Sequence, residues 1–91
     1  MHPQNYNDLI NAYDYFNTVY TNSSKDGRIE TASNYLYYIA SIEYKNGDYD
    51  KSETSIVKAI SLLDTLDNSV FKVQTRNSFY ILMGLIYISE K

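Results

Sequence analysis

The chain has 91 residues, room for one small domain with a thin core. Eight Lys and Arg against eleven Asp and Glu give a net charge of −3, scattered along the sequence, so no basic patch exists to attract phosphates and nucleic-acid binding is disfavoured. Cysteine is absent, which excludes disulfides, thiolate metal sites and cysteine nucleophiles together.

The opening "MHPQNYND" lacks the charged-then-apolar form of a secretory signal. From there apolar residues recur at spacings of three and four rather than two, which predicts helices throughout. The first helix is expected over about 7–20, with Leu9, Ala12, Tyr13, Phe16, Val19 and Tyr20 as its apolar positions. "TNSSKDG", from Thr21 to Gly27, is polar and reads as a loop. A second helix is expected over about 28–45, with Ile29, Ala32, Leu36, Ile39 and Ala40 on one face. Asn46-Gly47 ends it, because glycine accepts the left-handed backbone that a helix C-terminus often requires. Asp48 is placed to cap a third helix, about 49–66, whose apolar face carries Ile56, Ala59, Ile60 and Leu63. Asp67-Asn68-Ser69 is a further turn and cap. The fourth helix runs from about Val70 to the end, through Val73, Tyr80, Met83, Gly84 and Tyr87. Its apolar run Phe79–Ile88 is shorter than the about 20 residues a membrane span needs. Connections this short make successive helices antiparallel neighbours.

The helices repeat. Shifting the first by forty residues places Asp8 on Asp48, Leu9 on Tyr49, Ala12 on Ser52, Phe16 on Ile56 and Val19 on Ala59. Shifting the second by forty-four places Ile29 on Val73, Leu36 on Tyr80, Ile39 on Met83 and Ala40 on Gly84. Two helix types therefore alternate. Tyr80-x-x-Met83-Gly84-x-x-Tyr87, the weaker Leu36-x-x-Ile39-Ala40 with Glu43 in the aromatic place, Ala12-x-x-x-Phe16 and Ser52-x-x-x-Ile56 carry the pattern, as does "GDYDK" between the second and third helices. In these residues the chain resembles the tetratricopeptide repeat family, in the order B-A-B-A. The period exceeds the family's 34 residues and no proline follows the B helix. Long, proline-poor repeats of this kind look like those of bacterial signalling proteins, including sensor kinases and peptide-responsive regulators.

The resemblance implies an all-α fold of stacked antiparallel helix pairs, a superhelix fragment spanning 1–91 as one domain, and no catalysis. Small residues at Ala40, Gly84, Ser52 and Ala59 are expected where helices approach, with Leu36, Ile39, Ile56, Tyr80 and Met83 filling the space and Tyr49 packed over the turn. It also implies a concave protein- or peptide-binding groove lined by the A helices: Asn34, Tyr37, Tyr38, Ser41, Tyr44 and Lys45 from the second helix, and Ser78, Ile81, Leu82, Leu85, Ile88 and Ser89 from the fourth. The tyrosines, eleven in the chain, either line that groove or pack on neighbouring helices. The Lys/Asn/Arg clamp of chaperone-tail binders is missing, since Tyr37, Tyr38 and Ser41, then Ile81, Leu82 and Leu85, occupy the corresponding places.

Other chemistry finds little purchase. His2 is the sole histidine and lies in the N-terminal stretch, so no nucleophile has a base beside it. Asp48 and Asp50 read as a cap and a favourable charge at a helix start. No His/Cys cluster exists, and Asp26-Gly27 is too short for a calcium loop, so neither metal nor cofactor is expected. The apolar fourth helix and the unpaired B helix at the start predict self-association, or a piece of a longer array. The alternative to a binding module is a structural oligomerisation or linker segment. A cytoplasmic setting is expected, with a periplasmic sensor domain as the alternative, and no membrane insertion.

Overall fold

The computed structural model describes residues 6–67 and 69–90, with side chains from residue 11 onward. The expectations placed on His2, on the side chains of Asp8 and Leu9, and on Asn68 fall outside these residues. Four helices follow one another: α1 Tyr6–Lys25, α2 Ile29–Lys45, α3 Tyr49–Leu63 and α4 Val70–Ser89.

The first two turns are built alike, at Gly27 (φ 75°) and Gly47 (φ 81°). In one, the Arg28 N–H donates to the Ser23 carbonyl at 2.9 Å and the Gly27 N–H to Ser24 at 3.2 Å. In the other, the Asp48 N–H donates to Glu43 at 2.8 Å and the Gly47 N–H to Tyr44 at 3.0 Å. This pair of bonds is the Schellman closure of a helix end, and a left-handed glycine makes it possible. The closure explains two departures from the sequence reading. Helix α1 runs on to Lys25 through the expected loop, because Ser23 is buried and tertiary packing overrides the weak helix propensity of "TNSS". Asp48 starts α3 without a side-chain cap. Its N–H closes the preceding helix, and its backbone (φ −85°, ψ 66°) is not the extended form that capping needs.

The third turn is different. Helix α3 ends at Leu63, short of the expected Leu66, in tight turns from Thr65 to Leu62 and Leu66 to Leu63. Ser69 then caps α4, its side chain accepting from the Lys72 N–H. Buried Lys72 donates its Nζ to the Leu66 carbonyl at 3.2 Å and ties the turn to the next helix.

Packing is sequential. Helix α2 lies against α1 and α3, and α4 against α3 and, less extensively, α2; among the described residues α1 and α4 do not meet. The chain therefore does not close into a four-helix bundle, which would bring its first and last helices together. The core joins Leu36, Ile39 and Ala40 of α2 with Ile56, Ala59 and Leu63 of α3 and Phe79, Leu82 and Ile86 of α4. Ser52 fits against Ala40 closely enough for its hydroxyl to donate to the Ala40 carbonyl at 2.7 Å. Tyr49 packs its ring at 5.7 Å from Tyr44, over the turn as expected. Gly84 departs from expectation: a Cβ built there meets nothing within 4 Å, so no helix approaches it. Tyr80 is likewise exposed instead of filling the core.

Candidate functional site

Helices α2 and α4 run side by side, and between them lies an open cavity of about 330 Å³ lined by Asn34, Tyr37, Tyr38, Gln74, Thr75 and Ser78. Four of these were named from the sequence. Gln74 and Thr75 were not, because the groove positions carried over to α4 begin at Ser78. The lining carries hydroxyls, amides and aromatic rings but no charge. Beyond it, Ile81, Leu85 and Ile88 stand exposed on α4, and the Tyr44 and Ser89 hydroxyls meet at 3.2 Å. Ser41 turns its hydroxyl back to the Tyr37 carbonyl, and Lys45 is exposed at the end of α2. Leu82 does not belong to this surface: it is buried with Phe79 and Ile86, since it sits on the stripe of α4 that faces α3 and α2.

Tyr37 and Tyr38 pack on neighbouring rings as well as lining the cavity. Rings meet edge-on or tilted from Tyr15 and Phe16 of α1, through Tyr35 and Tyr38 of α2, to Tyr37 and finally Phe79 of α4. Centroids along this path lie 5.3–6.5 Å apart, within the range of favourable aromatic pairs. Tyr37 and Tyr38 thus line the cavity on one side and are braced by other rings on the other.

The residue that sequence reasoning passed over is Glu43. It occupies the place where the repeat pattern expects an aromatic, yet it is buried. Its Oε2 accepts from the Tyr13 hydroxyl of α1 at 2.6 Å, and its Oε1 accepts from the Ser55 hydroxyl of α3 at 2.8 Å. One carboxylate therefore joins three helices with both oxygens satisfied. Burial, followed by the bond to Glu43, pushes the Tyr13 hydroxyl up to about 12. A second, exposed Tyr–Glu contact lies at the positions reached by the forty- and forty-four-residue shifts. Tyr87, the counterpart of Glu43, donates to Glu53, the counterpart of Tyr13, at 3.3 Å. The nearby Glu53 charge holds the Tyr87 hydroxyl above its ordinary range. Both contacts join a helix to the next one along the chain, α1 to α2 and α3 to α4.

A second, larger cavity of about 620 Å³ opens on the side of α3 turned away from the core, lined mainly by Glu53, Val57, Lys58, Ser61 and Leu62, with Tyr20 of α1 at its edge. Nothing in the repeat pattern pointed to it. Among the described residues no three His, Asp or Glu side chains gather into a group able to hold a metal ion, and no helix is long and apolar enough to cross a membrane.

No protein-family model matches this chain, and no curated protein or solved structure matches it either.

Proposed function

We propose that this chain is a helical-repeat module of tetratricopeptide type that binds a protein or peptide in the groove between α2 and α4, without chemistry of its own. The observation that carries the reading is the uncharged cavity of Asn34, Tyr37, Tyr38, Gln74, Thr75 and Ser78, continued along α4 by exposed Ile81, Leu85 and Ile88. Its amides and hydroxyls suit the backbone of a bound segment, and rigid rings already braced by neighbours lose little freedom on binding. The exposed aliphatic residues suit apolar side chains of the same segment. The two Tyr–Glu contacts and the sequential packing support a stack that repeats instead of a bundle that closes. In a parent protein such a module senses or recruits, in the manner of the bacterial signalling repeats it resembles.

The test is a peptide-display selection against the immobilised chain, followed by titration of a selected peptide by fluorescence anisotropy. Tyr37→Ala, Tyr38→Ala and Leu85→Ala each weaken binding, whereas Val57→Ala, in the cavity on α3, leaves it unchanged. Binding untouched by all three groove variants would overturn the assignment.

A second reading, a segment whose task is assembly, is favoured by one feature: Tyr80, Ile81, Leu85, Tyr87 and Ile88 together leave much of α4 apolar and uncovered.

A further inference from the structure

Equivalent positions of α2 and α4 differ in exposure. Leu36 is 2% exposed and its counterpart Tyr80 52%; Glu43 is 5% exposed and its counterpart Tyr87 53%. Ala40 is fully buried, whereas Gly84 meets nothing. Tyr80, Gly84 and Tyr87 share one face of α4, at i, i+4 and i+7. On α2 the equivalent face is covered by α3, whose Ser52 and Ser55 hydroxyls reach Ala40 and Glu43.

The other end of the chain has the complementary vacancy. Ser52, Ile56 and Ala59 of α3 are buried, while their counterparts Ala12, Phe16 and Val19 of α1 are only half-buried. Tyr15, the counterpart of Ser55, is exposed. Helix α1 packs on α2 as α3 packs, less extensively, on α4, but among the described residues no helix covers the face of α1 equivalent to the one α3 turns toward α2. Among the described residues α4 is therefore an α2-like helix with this face open, and α1 an α3-like helix with its corresponding face open.

We infer that a second copy of this chain covers the open face of α4 with its α1, head to tail. This rests on the repeat reading above and goes beyond it by naming the partner. The junction continues an interface already present within the chain: Ala12 lies over Gly84 as Ser52 lies over Ala40, and Tyr15 lies beside Tyr87 as Ser55 lies beside Glu43. Small residues at Ala12 and Gly84 permit the close approach. The contact is heterologous, so each added copy presents a fresh α4 and the assembly grows with concentration instead of stopping at a dimer.

Light scattering across a concentration series tests this. The wild-type chain is expected to rise from its 10.6 kDa monomer through a broad distribution of masses. Gly84→Lys blocks one end and Ala12→Lys the other, and each variant alone is expected to remain a monomer. Mixed, they retain one intact α4 and one intact α1, and form a heterodimer and nothing larger. Tyr80→Lys and Tyr15→Lys repeat the test at exposed positions, and circular dichroism verifies that every variant keeps its helices. A wild-type monomer at all concentrations overturns the inference. So does an Ala12→Lys chain that still dimerises, since α4 would then pair with α4, or a mixture that fails to combine. The groove reading is tested separately: Tyr37→Ala and Tyr38→Ala are expected to weaken selected-peptide binding without changing the mass distribution, and a non-associating chain that still binds peptide through them leaves that reading standing.

Discussion

Replacing Tyr13 by Phe removes one hydroxyl and keeps the ring, so it isolates the bond that ties α1 to the rest of the chain. The Glu43 carboxylate would keep its Ser55 donor and lose the 2.6 Å bond at its other oxygen. Hydrogen bonds to charged groups contribute about 1.5–3 kcal/mol, and the partner left short of a donor sits in a buried site. The titration of Tyr13 moves in the same direction: its hydroxyl rises from 10.0 to about 12, first through burial and then through the bond to Glu43. Tyr13 is only half-buried, and screening by water lowers what the bond contributes. We therefore expect Tyr13→Phe to cost about 1–2 kcal/mol in urea unfolding at pH 8. The sign of the pH dependence follows from linkage. A group whose folded value is raised contributes its stability in full below the unfolded value, here 10.0, and loses it as pH rises through about 12. The gap between wild type and variant should thus be constant up to about pH 9 and shrink between about pH 10 and 12. A variant as stable as wild type at pH 8, or a gap that does not shrink at high pH, would refute the role given to this bond.

Ile56→Ala, in the fully buried junction of α2, α3 and α4, should cost about 2–5 kcal/mol, whereas Ile81→Ala on the exposed face of α4 should change thermal unfolding little. The two glycines should respond in opposite directions to alanine. Gly47→Ala strains a left-handed turn and destabilises by about 1 kcal/mol or more, while Gly84→Ala, in open space within a helix, stabilises by about 0.5–1 kcal/mol. Ser33 buries a hydroxyl that has no partner, so Ser33→Ala should be neutral or stabilise by up to about 1 kcal/mol in the same assay, and a clear loss would mean that the hydroxyl is bonded.

The sequence made the helices legible because their apolar spacing and the two glycine turns are local signals. Helix ends were less so. Whether α1 stops at Tyr20 or Lys25 depends on the burial of Ser23 and on which carbonyls Arg28 and Gly27 reach, and both are set by the neighbouring helix. The forty-residue shift was read at Ala12 and Phe16 and passed over Tyr13 and Glu53, because a tyrosine set against a glutamate reads as a mismatch. Only the two hydrogen bonds show that Tyr13 and Glu43, and Glu53 and Tyr87, meet with the residue types exchanged. Asn34, Tyr37 and Tyr38, which line the cavity, were named by carrying the family's positions onto α2. On α4 the same carry-over misplaced Leu82, because a helix covered on one side by α3 and uncovered on the other divides its apolar residues by packing, which the sequence of α4 alone does not encode.

The most direct test of a groove between α2 and α4 is amide chemical-shift mapping with a peptide selected on the chain. The account predicts that the shifted resonances gather at Asn34, Tyr37, Tyr38, Gln74, Thr75 and Ser78 and extend along α4 to Ile81 and Leu85. Shifts gathered instead at Tyr20, Val57, Lys58 and Leu62 would place the ligand in the cavity on α3 and contradict it.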